Sequence, residues 1–163
     1  ISSGGLGTMG FGFPSAMGAK FTKPDSEVWC VVGDGGFQVT LQELQTAVEY
    51  GVKVNICLLN NGYLGMVRQW QELFFDNRYS SVQMGSPDYG KLADAYGVKF
   101  FRCTRVEDLD ETLRQAREFD GPTLCEFVVE MEENVYPMVP AGKDNSTVIM
   151  DPDLPKQPAG ATK

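Results

Sequence analysis

Gly33-Asp34-Gly35 and Asn60-Asn61 are separated by 24 residues, positions 36 to 59. An aspartate carboxylate and an asparagine amide oxygen are both ligands for a hard cation such as Mg²⁺. That ion takes six oxygens in near-octahedral geometry and commonly draws several of them from phosphate and water. Glycines around the aspartate let backbone N–H groups approach an anionic phosphate. Asp34 and Asn61, with Gly33, Gly35 and Gly36 beside them, therefore form a candidate cation and diphosphate site. Taken singly, Asp-Gly and Asn-Asn-Gly are ordinary turn sequences. Their joint placement is what carries the reading.

That placement depends on the flanking elements. The first cluster ends the apolar run Val28-Trp29-Cys30-Val31-Val32, and the second ends Val54-Asn55-Ile56-Cys57-Leu58-Leu59. Strands are expected over about 27–32 and 53–59, with a helix over 41–50 between them. Thr40 and Glu43 have the spacing of a capping box for that helix, Leu41, Leu44 and Val48 give it an apolar face, and Gly51 ends it. Strand, helix, strand puts both clusters at the carboxyl ends of neighbouring parallel strands, where open α/β sheets bind ligands. Further on, Tyr89, Leu92, Ala93 and Tyr96 have helical spacing closed by Gly97. Strands are expected over 98–103 and 123–130, and Val106, Leu109, Leu113 and Ala116 mark a helix between them. Pro14 sits where a helix running to about residue 21 would start, and residues 62–75 read as a loop leading into a helix. The fold class is α/β, an open parallel sheet with helices on both faces and right-handed crossovers. The proline-rich stretch 143–163 is expected to be an irregular tail, mobile beyond Asp151.

Composition narrows the chemistry. With 163 residues, 42% of them hydrophobic, the chain can build one core. A net charge of −8 argues against nucleic acid, and no apolar run reaches membrane-spanning length. Histidine is absent, which excludes Ser–His and Cys–His catalysis and His-ligated zinc within the chain. Cys30, Cys57, Cys103 and Cys125 form no CxxC pair and read as buried reduced thiols. The chain starts with Ile1-Ser2-Ser3-Gly4, not Met, and is expected to be a piece of something longer.

Gly33-Asp34-Gly35, the spacer and Asn60-Asn61 together resemble the signature of thiamine diphosphate enzymes. The flanks resemble one branch, the catalytic subunit of acetolactate synthase. These flanks are Ser3-Gly4-Gly5-Leu6-Gly7-Thr8-Met9-Gly10-Phe11-Gly12, Asn60-Asn61-Gly62-Tyr63-Leu64-Gly65-Met66-Val67-Arg68-Gln69-Trp70, and Val135-Tyr136-Pro137-Met138-Val139-Pro140-Ala141-Gly142. The resemblance implies a thiamine diphosphate-binding domain over 1–142, lacking its own start.

It also implies roles. Asp34 and Asn61 would bind Mg²⁺ through side chains and Tyr63 through its carbonyl. Gly35 and Gly36 would contact the diphosphate. Met9 would hold the cofactor bent, and the Gly7 carbonyl would accept from its aminopyrimidine. Met66 and Trp70 would line the substrate pocket, Met66 against the cofactor as well. No catalytic residue is expected here, because the activating glutamate of this family lies on a separate domain of a partner subunit. FAD would bind on a part of the enzyme that this chain lacks.

The activity implied is condensation of pyruvate with pyruvate or 2-oxobutanoate, with loss of CO₂, in branched-chain amino acid synthesis. The chain alone would be inactive. A homodimer or homotetramer sharing sites between subunits and a small regulatory subunit are the implied partners. A bacterial cytoplasm, or a plastid in a eukaryote, is the implied location. Two alternatives stand beside this: another thiamine diphosphate-dependent decarboxylase or carboligase, and a non-catalytic phosphate-binding module.

Overall fold

The computed structural model describes residues 1–152. They fall into two compact units, 1–131 and one that begins at Glu132. The first is an α/β unit built on strands β1 (Trp29–Gly33), β2 (Asn55–Asn60), β3 (Lys99–Cys103) and β4 (Thr123–Val128). All pair in parallel, in the order β1-β2-β4-β3. Helices α1 (Gly12–Thr22), α2 (Asp34–Thr40), α3 (Glu43–Glu49), α4 (Gly65–Phe74), α5 (Tyr89–Tyr96) and α6 (Leu109–Glu118) lie in the connections.

The two-residue period of a strand sorts its side chains between the sheet faces. Cys30, Ile56, Leu58 and Leu124 point to one face and join Phe13, Phe37, Leu44 and Tyr89 from α1, α2, α3 and α5 in the main core. Phe37 lies between Phe13 and Tyr89, with tilted rings whose centroids are 5.8 and 6.3 Å away. Cys125, Cys103 and Phe127 point to the other face, against Ala116 and Leu113 of α6. That second face is covered toward β3 and β4. Toward β1 and β2 it is partly open, so Val31 is 68% exposed and Leu59 39%. The second face of β1 and β2 is thus covered only in part within the described residues: Trp29 and Cys57 pack against the second cluster, whereas Val31 and Leu59 do not.

Most elements lie within two residues of the sequence expectation. Asp88 caps α5, accepting from the Gly90 and Lys91 amides at 3.1 and 3.2 Å, and Gly97 ends the helix with a left-handed φ of +72°. The region expected as one helix over 41–50 differs. The chain turns helical at once after β1, with Gly33 extended as the residue before α2. Leu41 and Gln42 stay helical but tighten, with the Leu44 amide donating to the Leu41 carbonyl at 3.0 Å, and α3 follows. Thr40 is therefore not a cap. It closes α2, and its hydroxyl donates to the Gly10 carbonyl at 3.2 Å. The Glu43 carboxylate accepts instead from the Thr46 hydroxyl at 3.0 Å.

The second unit contains a short antiparallel bridge. Met138 and Ile149 exchange backbone hydrogen bonds of 2.9 and 2.7 Å, and a 3-10 turn spans Asn145–Thr147. The expectation of mobility beyond Asp151 falls almost wholly outside the described residues.

Gly10 ties the glycine-rich segment to α2. Its φ is +87°, and a Cβ there would stand 2.7 Å from Val39 Cγ1. Gly10→Ala is expected to cost about 2 kcal/mol or more, from backbone strain plus that clash. A urea midpoint measured against the parent chain checks it.

Candidate functional site

The β1–β2 ladder sets Gly33 opposite Leu59, so Asp34 and Asn60 leave the sheet side by side. Asp34 is the first residue of α2 and is 1% exposed. Its Oδ2 accepts from the Gly62 amide at 3.1 Å and from the Ser86 hydroxyl at 3.3 Å. Gly62 lies between Asn61 and Tyr63, so this bond draws the whole Asn61-Gly62-Tyr63 turn onto the aspartate. Within the turn, Asn61 Oδ1 accepts from the Tyr63 amide at 3.1 Å. An amide oxygen has two lone pairs, so one stays available to a cation.

The turn is held from outside. Residues 82–84 run back antiparallel along it. The Leu64 amide donates to the Val82 carbonyl and the Met84 amide to the Gly62 carbonyl, both at 2.8 Å. The Arg68 guanidinium lies over the rings of Tyr63 and Tyr79, 5.7 and 5.0 Å from their centroids, and pairs with Glu72 at 3.0 Å.

Burial pushes the Asp34 carboxyl above its usual range, against the pull of amides from Gly35 and Gly62 and the Ser86 hydroxyl. All of these donors are neutral, and among the described residues no lysine or arginine pairs with Asp34. A buried carboxylate without a counter-charge is costly, and a bound cation would remove that cost. Likewise, no group of three or more His, Cys, Asp or Glu side chains able to hold a metal exists among the described residues. A cation here would have to complete its shell with carbonyls, water or ligand oxygens, as Mg²⁺ on a diphosphate does.

Gly35 is closely packed and leaves no room for a side chain. A Cβ there would lie 3.0 Å from Leu64 Cδ2 and Met84 Sδ, and 3.3 Å from Met9 Cε. Met9, itself half exposed, therefore reaches the aspartate loop. Gly36 is next along α2, where a Cβ would meet Val32 at an ordinary 3.4 Å. Gly7 lies in an exposed turn, its φ +61° and its amide donating to the Ser3 carbonyl at 2.8 Å. Met66 and Trp70 are exposed on α4 and line a groove of about 340 Å³ with Val67, Gln71 and Phe75.

Sequence reasoning missed Ser86, Leu64 and Met84. Ser86 belongs to a turn-like run, Gly85-Ser86-Pro87-Asp88, and nothing in that run shows that it returns to Asp34. The four cysteines are unbridged, and burial pushes the thiols of Cys30 and Cys125 up to about 12 and that of Cys57 to about 11. These three thiols are inert at neutral pH.

A family model described as the C-terminal TPP-binding domain of thiamine pyrophosphate enzymes matches residues 1–127. The chain is 48% identical over 154 residues to an acetolactate synthase of Mycobacterium bovis. It is 49% identical over 150 residues to a probable acetolactate synthase large subunit of Methanococcus aeolicus. Each alignment covers 91% of this chain and 25% of the relative. The chain thus spans about a quarter of the length of these curated relatives. Among solved structures, a thiamine diphosphate-dependent 4-hydroxybenzoylformate decarboxylase of Rhodococcus jostii RHA1 superposes with a TM-score of 0.72 at 31% identity. The superposition covers 77% of this chain and 24% of the decarboxylase. The buried aspartate, the asparagine turn and the family match agree, and the chain belongs to the thiamine pyrophosphate enzyme family, in its C-terminal TPP-binding domain.

Proposed function

We propose that this chain is the cofactor-anchoring part of an acetolactate synthase large subunit, with residues 1–142 as the binding unit and 143–163 as a tail. The observation that carries the site is the buried, unneutralised Asp34 carboxylate bonded to the turn that holds Asn61. The relatives are named acetolactate synthases, and the activity proposed with that reading is pyruvate condensed with pyruvate or 2-oxobutanoate, with loss of CO₂.

Asp34 and Asn61 hold Mg²⁺ through their side chains and Tyr63 through its carbonyl. Gly33 leaves the strand end free of side-chain bulk. Gly35 and Gly36 present first-turn amides to the diphosphate. Met9 would support the cofactor, and the Gly7 carbonyl would accept a hydrogen bond from its aminopyrimidine. When bound, thiamine diphosphate would supply the nucleophilic carbon and the electron sink for decarboxylation of the keto acid. Met66 and Trp70 shape the apolar groove that receives the acceptor keto acid and excludes water.

The activating carboxylate and an FAD site belong to the rest of the enzyme. A homodimer or homotetramer and a small regulatory subunit are the proposed partners. The proposed location is a bacterial cytoplasm, or a plastid in a eukaryote. No helix among the described residues is long and apolar enough to cross a membrane.

Product analysis on the full-length protein, given pyruvate, Mg²⁺ and thiamine diphosphate, tests the reading. Acetolactate is expected. Aldehyde release without acetolactate would move the protein to the decarboxylases, the class of the superposing Rhodococcus enzyme. Failure of Mg²⁺ and thiamine diphosphate to protect against unfolding would favour a phosphate-binding module. At a hundredfold excess over Kd that protection should be about 2.7 kcal/mol.

Asp34→Asn gives a second test. Because the folded carboxyl titrates above the unfolded one, the metal-free protein loses stability as pH rises from the unfolded aspartate range through the raised folded value. Its ionised form is thus a net cost at neutral pH. Without metal, the Asp34→Asn variant should melt at a higher temperature than the parent at pH 7, with the gap closing toward pH 3. With Mg²⁺ and thiamine diphosphate it should gain no protection. Differential scanning fluorimetry reads both.

Trp70→Ala should shift the ratio of 2-oxobutanoate to pyruvate used as acceptor by roughly tenfold, the scale set by losing apolar contact in a pocket. Competition between the two keto acids measures it. An unchanged ratio would remove Trp70 from the substrate groove.

A further inference from the structure

Glu126 is a charged residue in the middle of an apolar strand, and the roles above do not use it. It is 1% exposed on β4, opposite Leu58 of β2 and Arg102 of β3. Its Oε2 accepts from Arg102 Nε at 2.7 Å, and its Oε1 accepts from Asn60 Nδ2 at 2.7 Å. Arg102 is about half exposed, so one side of the pair stays hydrated. Asn60 carries the relay onward. Its Oδ1 lies 3.3 Å from the Ser86 hydroxyl, which is also 3.3 Å from Asp34 Oδ2. Tyr89, fully buried below, takes part as well. Its hydroxyl bonds to Ser86 and accepts from Gln38 Nε2 at 3.3 Å. Glu126, Asn60 and Ser86 thus connect Arg102, on the edge strand, to Asp34, with the single Ser86 proton shared between Asn60 Oδ1 and Asp34 Oδ2.

The direction of this line is set by donor and acceptor types. A carboxylate only accepts, so Asn60 must turn its NH₂ toward Glu126 and its oxygen toward Ser86. The Ser86 hydroxyl has one proton and stands 3.3 Å from both the Asn60 and the Asp34 oxygens, so it is shared between them and the orientation of Asn60 fixes where it sits. Stability gives no reason for the arrangement. A buried ion pair is commonly no more stabilising than apolar residues of similar volume, and the neighbours Leu124, Cys125 and Phe127 are apolar.

We propose that Glu126 is a positioning residue for the cation site: by fixing the Asn60 amide with its oxygen toward Ser86 it pins the Ser86 hydroxyl between Asn60 and Asp34, and so holds that carboxylate where the metal requires it. The proposal rests on the reading of Asp34 and Asn61 as Mg²⁺ ligands.

Mn²⁺, titrated by electron paramagnetic resonance in the presence of thiamine diphosphate, tests it on the full-length protein. The variants are Glu126→Gln, Glu126→Asp and Ser86→Ala. Removing a group that orients a metal ligand typically costs about 10–100-fold in affinity. Glu126→Gln and Ser86→Ala should weaken Mn²⁺ at least about tenfold. Glu126→Asp keeps an acceptor-only group and should stay within about threefold to fivefold. In activity assays the Mg²⁺ requirement should rise by similar factors, with kcat at saturating Mg²⁺ much less changed. A purely structural role would lower the melting temperature and leave the affinity of the folded protein as in the parent. Parent-like Mn²⁺ affinity in folded Glu126→Gln overturns the proposal. If that variant does not fold, parent-like affinity in Ser86→Ala overturns it equally, because the relay passes through that hydroxyl. A parent protein that binds no Mn²⁺ with thiamine diphosphate overturns the cation-site reading itself, a separate result that removes the ground of the proposal.

Discussion

Parallel pairing of β1 with β2 in the register that sets Gly33 against Leu59 is the constraint on which the rest of the unit depends. Parallel strands emerge from a sheet on the same side, so the residues that follow them meet without any long excursion of the chain. Asp34 follows β1 directly, and Asn60 is the last residue of β2, followed by the Asn61 turn. A slip of one position would send Cys30, Ile56 and Leu58 to the wrong face. The buried core on α1, α2, α3 and α5 therefore enforces the register, and the register places the polar cluster. Core packing and site geometry are here the same requirement.

Beneath the cluster the interior is polar where a simpler fold would be apolar. Asp34, Asn60, Ser86, Tyr89, Glu126 and Gln38 are joined by hydrogen bonds, and among the described residues no buried side-chain nitrogen or oxygen lacks a partner. A fully satisfied network of this kind rigidifies its surroundings, whereas a half-satisfied one would destabilise them. Of its two carboxylates, Glu126 has Arg102 beside it, and Asp34 has only neutral donors. The network thus concentrates its uncompensated negative charge at the sheet end, at the start of α2.

Much of the fold was legible because the periodicities were clean. The apolar runs before Asp34 and Asn60 and the Gly97 stop each act locally, and local signals survive in a sequence. Thr40 and Glu43 misled for a related reason. Their spacing fits a capping box, but a helix already under way at Asp34 leaves no free first turn to cap. Proximity across the chain was less visible. Asp34, Asn61 and Tyr63 could be brought together through a strand–helix–strand argument and a family resemblance. Ser86 could not, since its approach depends on residues 82–84 doubling back along the Asn61 turn. Glu126 did leave a trace. An acid in Leu124-Cys125-Glu126-Phe127 and a base in Phe100-Phe101-Arg102-Cys103 are both out of character for buried strands, and each accounts for the other.

The strand order β1-β2-β4-β3 also has a temporal meaning. β4, the last of these strands along the chain, is inserted between two that precede it. During synthesis β2 and β3 are made with no direct pairing between them, and the sheet stays open until residues 123–128 arrive. Long-range pairing of this kind is slow, because loop closure costs entropy before the new contacts offset it. Glu126 rides on that same strand. The nascent chain can therefore build the helical face around Phe37 early, but Asn60 finds its acceptor on Glu126 only when the sheet closes, so the hydrogen-bonded cluster at the sheet end is the last part to be completed.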